Sequence, residues 1–292
     1  MNATPFKCRS LAVVLLMGLL TTGGALANER WVVLGGDIAE TIAALDADIE
    51  VVARDDTVTH PPELAALPSV GYLRQLSAES VLSVAPNRVL AASQSGPQEV
   101  LDQLSAVGVT VDVIDAPASL SSIAEKVRAV AQHTQRQQQG NVLAASLTDT
   151  LERLVTLPPF PDMPAMFILH QSGLTPRVAG SDTAAHIALE AVGLDNAFGG
   201  MTGYQSVAAE ALAKEAPALV IMSQRGLDAL GGENALWQLP GMHLTPAGQE
   251  QRLIVIDDQA LLGFGPRTPD QLFALRKDVE ALLGSATAQV AP

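Results

Sequence analysis

The sequence predicts an α/β protein of two Rossmann-like lobes, each with a central parallel sheet, joined by a single long helix, with a ligand cleft between the lobes. Three observations carry that expectation. Short apolar runs alternate with helical stretches, one phrase of the sequence occurs twice, and a long helical segment separates the two copies. Residues 72–96 read YLRQLSAESVLSVAPNRVLAASQSG and residues 204–226 read YQSVAAEALAKEAPALVIMSQRG. In each copy a Tyr (Tyr72, Tyr204) precedes a Glu (Glu79, Glu210), then a Pro (Pro86, Pro217), an apolar run and Ser-Gln-x-Gly. Each copy reads as a loop, a short helix entered through the Glu, a Pro-marked turn and a buried parallel strand ending in a polar loop.

The first 27 residues are set apart from the fold. Lys7 and Arg9 form a positive start, Leu11 to Leu20 an apolar stretch, and Ala25-Leu26-Ala27 a small-x-small cleavage site. The apolar stretch is shorter than the roughly 20 residues needed to span a bilayer. A cleaved export signal at 1–27, a soluble periplasmic protein and a monomer are expected. The sole cysteine, Cys8, would leave with the signal, which excludes disulfides and thiolate chemistry from the mature chain. The formal charge of −14 becomes −16 once Lys7 and Arg9 are removed, so nucleic acid and anionic membrane surfaces are poor partners.

Trp31–Leu34 and Gly35-Gly36 read as a first strand and turn, Ile38–Leu45 as a helix, and Ile49–Ala53 as a second strand. Gly35-Gly36 lacks the third glycine of a dinucleotide loop. The first repeat copy follows, then a helix at Gln98–Val107 and a strand at Val109–Ile114, completing an N-terminal lobe over 28–118. Ser122 and Glu125 have the spacing of a capping box, and an apolar stripe runs on to Val155 before Pro158-Pro159. This makes 119–157 a helical strut. The C-terminal lobe, 158–285, opens with a strand at Met166–Leu169 and a helix at Thr183–Val192. It continues with the second repeat copy, a strand at Leu253–Ile256 and a helix from Pro269 to Leu283, before a disordered tail at 286–292.

Catalytic motifs are missing. The five histidines form no HExxH or close zinc pair, no Ser sits in a GxSxG elbow, and there is no P-loop. A binding protein with its ligand between two lobes fits better than an enzyme.

Several segments resemble periplasmic haemin-binding proteins of ABC transporters. They are Val70-Gly-Tyr-Leu-Arg-Gln-Leu-Ser-Ala-Glu79, Val178-Ala-Gly180, Gly203-Tyr204 before Ala209-Glu-Ala211, Met222-Ser-Gln-Arg-Gly-Leu227 and Gly263-Phe-Gly-Pro-Arg267. The resemblance covers nearly the whole mature chain. It implies haem as the transported ligand, delivered to an ABC permease dimer in the inner membrane. The wider superfamily also carries ferric siderophores and cobalamin, and an enzyme acting on a tetrapyrrole is a further alternative. The Tyr-x-Arg element favours haem: ferric haem accepts a phenolate axial ligand, and a nearby cation favours the charged phenolate. Tyr72 is the expected iron ligand, with Arg74 as that cation. Arg225 is expected to face Arg74 or a haem propionate. His170, at the end of the first strand of the second lobe, is either a second haem contact or a hydrogen-bonded strand-end residue. Tyr204 is expected to be structural. Glu79 and Glu210 suit helix starts through the dipole, and the resemblance implies that they dock onto arginines of the two permease subunits.

Overall fold

A computed structural model of the chain describes residues 29–117, 119–170 and 173–289. The export signal expected at 1–27 and the last three residues lie outside these. Four strands form the first sheet: β1 (Arg30–Leu34), β2 (Glu50–Arg54), β3 (Arg88–Ala92) and β4 (Thr110–Ile114), in the order β2-β1-β3-β4 and all parallel. The second sheet holds β5 (Ala165–Leu169), β6 (Arg177–Ala179), β7 (Tyr204–Gln205), β8 (Leu219–Ser223) and β9 (Leu253–Ile256), in the order β7-β6-β5-β8-β9. Here β5, β8 and β9 run parallel, while β6 and β7 pair antiparallel. The second sheet is therefore mixed rather than wholly parallel. The short β6 and β7 lie in the stretch from 177 to 205, whose Gly and polar content hides a strand signal.

Alternation of side chains divides each lobe into two cores, as a sheet covered on both faces requires. In the first sheet, Trp31, Val33, Leu90 and Ala92 face one side, while Val32, Leu34, Val89 and Ala91 face the other. In the second, Leu219 and Ile221 oppose Val220 and Met222 in the same way. Met222 and Met242 are both core residues of this lobe.

The single long helix expected between the lobes is two helices, Ser122–His133 and Gln137–Val155. Gln135 adopts a left-handed conformation (φ 57°) that the helix cannot absorb, and the chain folds back on itself there. Ile123, Ala124 and Val127 pack against Ala144 and Leu147. Gly140 lies so close to Ala131 that a Cβ there would collide with it. Only the second helix bridges: Leu143 packs beside the N-terminal core, whereas Leu151 and Leu154 belong to the C-terminal one. At 1.5 Å per residue its 19 residues reach about 28 Å.

The capping box expected at Ser122 is not formed. Ser122 already lies within the helix, and its N–H donates to Ser119 Oγ at 3.2 Å. The C-terminal helix runs from Thr268 to Gln289, so the described part of the expected disordered tail is helical. Its Arg276 is buried, donating to the Val192 and Pro158 carbonyls at 2.8 and 2.9 Å while Leu272, Leu275 and Val279 join the core. Among the described residues no helix is long and apolar enough to cross a membrane.

Candidate functional site

The carboxyl ends of both sheets converge on one cavity of about 760 Å³ between the lobes. Residues after β1, β3 and β4 line one wall, including Asp37, Gln94 and Asp115; the end of β5 at Leu169 and residues after β9, including Asp258, line the other. The carboxyl edge is where strand order and helix N-termini leave a crevice in doubly wound sheets.

Tyr72, Arg74 and Arg225 all line this cavity. The loop bearing the first two is held by its own repeat unit. Gly71 provides a left-handed turn (φ 102°), and its carbonyl accepts from Asp56 N–H at 2.9 Å. Gly96, the glycine of Ser-Gln-x-Gly, donates to Leu73 O at 2.8 Å and accepts from Leu76 N–H at 3.0 Å. Leu73 and Leu76 are buried anchors, and Tyr72, 37% exposed, and Arg74, which flank Leu73, are left to the cavity. In this first copy Ser-Gln-x-Gly clamps the tyrosine loop.

In the second copy the arrangement differs. Ser223-Gln-Arg-Gly226 is not a loop but the start of a helix, Gln224–Leu230, with Ser223 Oγ accepting from Gly226 N–H at 3.0 Å. Arg225 projects from its first turn and pairs with Asp258 Oδ2 at 2.9 Å. The expected approach to Arg74 is thus replaced by a carboxylate of its own lobe. Tyr204 sits on β7 and also lines the cavity. Burial holds its phenol above the ordinary tyrosine range. Hydrogen bonds from the Ala185 backbone and Thr183, with Arg74 across the cleft, act the other way without prevailing. The phenol therefore stays protonated at neutral pH.

Three cations (Arg74, Lys126, Arg225) and four carboxylates (Asp37, Asp115, Asp182, Asp258) line the cavity. Lys126 Nζ is paired with Asp37 Oδ2 at 2.7 Å, and Arg225 with Asp258. Of the three, Arg74 alone has no ion pair or hydrogen bond among the described residues. Arg74 is thus the lining cation left for an anionic ligand, and its charge is felt at Tyr204 across the cleft.

His170 is not among the lining residues; its neighbour Leu169 is. The backbone of His170 lies against Gly226, and its Nδ1 is buried without a partner among the described residues. Glu79 and Glu210 lie in the first turns of helices Ala78–Leu82 and Ala209–Glu215. Both are exposed and have no ion pair among the described residues. The first of these helices is capped by Ser77, whose Oγ accepts from Ser80 N–H, so Glu79 is not its cap.

Sequence reasoning missed Asp258, Lys126 and Asp37. The paired acids Asp257-Asp258 directly after an apolar strand were the available signal for the first. Lys126 and Asp37 are 89 residues apart, and nothing local links them. Among the described residues no group of three or more His, Cys, Asp or Glu is placed to hold a bare metal ion.

Residues 32–260 match the family model described as periplasmic binding protein. The chain is similar in structure to the periplasmic haem-binding protein RhuT from Roseiflexus sp. RS-1, with a TM-score of 0.79 and 36% identity. That match covers 85% of this chain and 97% of the other. It is similar also to the periplasmic haem-binding protein BhuT in complex with two haems, with a TM-score of 0.78, 36% identity and the same coverage. A vitamin B12-binding protein of Yersinia pseudotuberculosis is 30% identical over 139 residues, 48% of this chain and 49% of that protein. The chain spans about half the length of the curated relatives it matches. With two α/β lobes and a cavity between the carboxyl edges of their sheets, the chain belongs to the periplasmic binding protein family.

Proposed function

We propose that the protein binds haem in the interlobe cavity and delivers it to an ABC permease of the inner membrane after export by the signal at 1–27. The observation that carries this reading is that Tyr72 and Arg74, two residues apart on one loop, both line the cavity, Arg74 without an ion pair or hydrogen bond among the described residues. A phenolate is a recognised axial ligand for ferric haem, and an adjacent guanidinium favours the ionised phenol. Arg225 supplies a site for a propionate, which would exchange with Asp258 for the guanidinium. Tyr204 is the poorer ligand, because burial keeps its phenol protonated.

Cobalamin is the competing cargo, supported by the curated relatives at 30% identity over half the chain. Haem is favoured by the 36% identity to haem-binding proteins over 85% of the chain and by Tyr72 and Arg74 on the cavity wall, since a phenolate suits ferric iron and a guanidinium suits an anionic ligand group. Membership of a binding-protein family and the lack of a catalytic motif favour carriage over tetrapyrrole chemistry. The matched, exposed Glu79 and Glu210 supply one carboxylate per lobe for the two permease subunits.

Haemin titration followed by absorbance tests the proposal. The parent is expected to give a high-spin ferric phenolate spectrum. Tyr72→Phe is expected to lose that spectrum and bind haemin at least about tenfold more weakly, or about 1.4 kcal/mol, whereas Tyr204→Phe changes little. No haemin binding by the parent, with tight cyanocobalamin binding, would transfer the assignment to cobalamin.

A further inference from the structure

The segment after β9 makes three connections with three consecutive residues. Asp257 pairs with Arg267 at 2.8 Å, Asp258 pairs with Arg225 on the cavity wall, and Gln259 leaves its own lobe altogether. The Gln259 carboxamide is seated in the N-terminal lobe and is 8% exposed. Its Oε1 accepts from Thr59 N–H (2.6 Å), Thr59 Oγ1 (2.7 Å) and His60 N–H (2.9 Å). Its Nε2 donates to Glu40 Oε1 (2.7 Å), His60 O (2.9 Å) and Gly36 O (3.1 Å). Six contacts to one side chain, about 200 residues distant in sequence, saturate a primary amide and leave no freedom to its rotamer.

The socket is built for this side chain. A Cβ at Gly36 would stand 2.7 Å from Gln259 Cγ and Cδ, so the second glycine of Gly35-Gly36 exists to admit Gln259. A Cβ at Gly265 would likewise stand 2.6 Å from Glu40 Oε2. Glu40, 3% exposed, accepts also from Arg267 Nε and Nη2 at 2.9 and 2.7 Å. Lys126 Nζ donates to Gly263 O at 3.0 Å, and Phe264 is buried against the helix pair. The Gly-Phe-Gly-Pro-Arg motif is thus the cradle of the same junction.

We propose that Gln259 is the positioning residue of the cleft: seated in the N-terminal lobe, it fixes the wall bearing Arg225 and Asp258 relative to the wall bearing Tyr72 and Arg74. A ligand that spans both walls then meets a preset separation and spends little of its binding energy on arranging the lobes. The effect on haemin rests on the function proposed above; the effect on lobe geometry does not.

Spin labels at Gln103→Cys and Lys277→Cys, exposed helical positions in the two lobes, report the interlobe distance by pulsed dipolar spectroscopy in a Cys8→Ser background. The parent is expected to give one narrow distance. Gln259→Met, which keeps the length and removes the hydrogen bonds, and Gly36→Ala, which removes none but fills the socket, are both expected to broaden or shift it. Both should weaken haemin binding at least about fivefold. Leu236→Ala, a core cavity remote from the junction, should lower the melting temperature and leave the distance alone. A broad parent distribution, an unchanged distance in both variants, or equal broadening by Leu236→Ala overturns the proposal. So does failure of both variants to fold, which would make the junction a folding determinant only. Should the parent bind no haemin while the distances respond as expected, the positioning role stands and the haem assignment falls.

Discussion

Asp258→Asn isolates the competition for Arg225. The pair is 2.9 Å long, with its guanidinium 62% and its carboxylate 24% exposed. Solvent screening at that exposure limits the pair to about 0.2–1 kcal/mol. An anionic ligand group that takes Arg225 must first displace Asp258, so removing the carboxylate returns at most that amount. Haemin affinity is therefore expected to rise by up to about fivefold, since about 1.4 kcal/mol is tenfold. Asparagine keeps an oxygen in place of Asp258 Oδ1, which accepts from Gln259 N–H at 3.1 Å, so the start of helix Asp258–Leu262 is preserved. The assay is haemin titration of parent and variant at low and high salt. The gain should shrink at about 1 M salt, where the screening length is about 3 Å. Weaker binding by Asp258→Asn at low salt, with an unchanged melting temperature, would refute the reasoning and make Asp258 part of the ligand's own contacts.

Two further outcomes are expected. Glu79→Arg and Glu210→Arg should leave haemin affinity and melting nearly unchanged, because both residues are exposed and unpaired among the described residues, yet reduce transport in a reconstituted system; normal transport would remove them from docking. Stability should depend on pH through three buried or partly buried carboxyls. Burial raises the carboxyls of Glu40 and Asp55, so the stability they contribute when protonated is lost as pH rises through their raised values. Asp257 runs the other way: burial raises it, but Arg267 and backbone N–H groups hold it below the usual range, so its contribution is lost only as pH falls through that lowered value. Melting temperature is expected to fall as pH rises through those raised values, with Glu40→Gln flattening the fall. A melting temperature that rises there instead contradicts the assignment for Glu40 and Asp55.

Much of the scaffold was legible in the sequence because its signals are local. Apolar runs such as Trp31–Leu34 and Leu219–Ile221 became central strands, since a strand covered on both faces needs no polar alternation. The repeat made the Tyr72 loop and Ser-Gln-x-Gly visible as parts of one unit, and Tyr72, Arg74 and Arg225 all line one cavity. Where local signals were ambiguous the expectation failed: a continuous apolar stripe suits one long helix or two helices packed back to back equally well, and only the left-handed turn at Gln135 separates them. By itself the sequence determined the α/β lobes, their parallel strands and the residue types of the cleft. Only the tertiary structure decided that Arg225 belongs to Asp258, that the Nδ1 of His170 is buried without a partner among the described residues and that Gln259 seats across the junction. Those outcomes join residues from 33 to more than 200 positions apart, or depend on which way a strand end faces. No period or spacing encodes such contacts, because they arise only when two separately folded surfaces meet and every buried donor must find an acceptor.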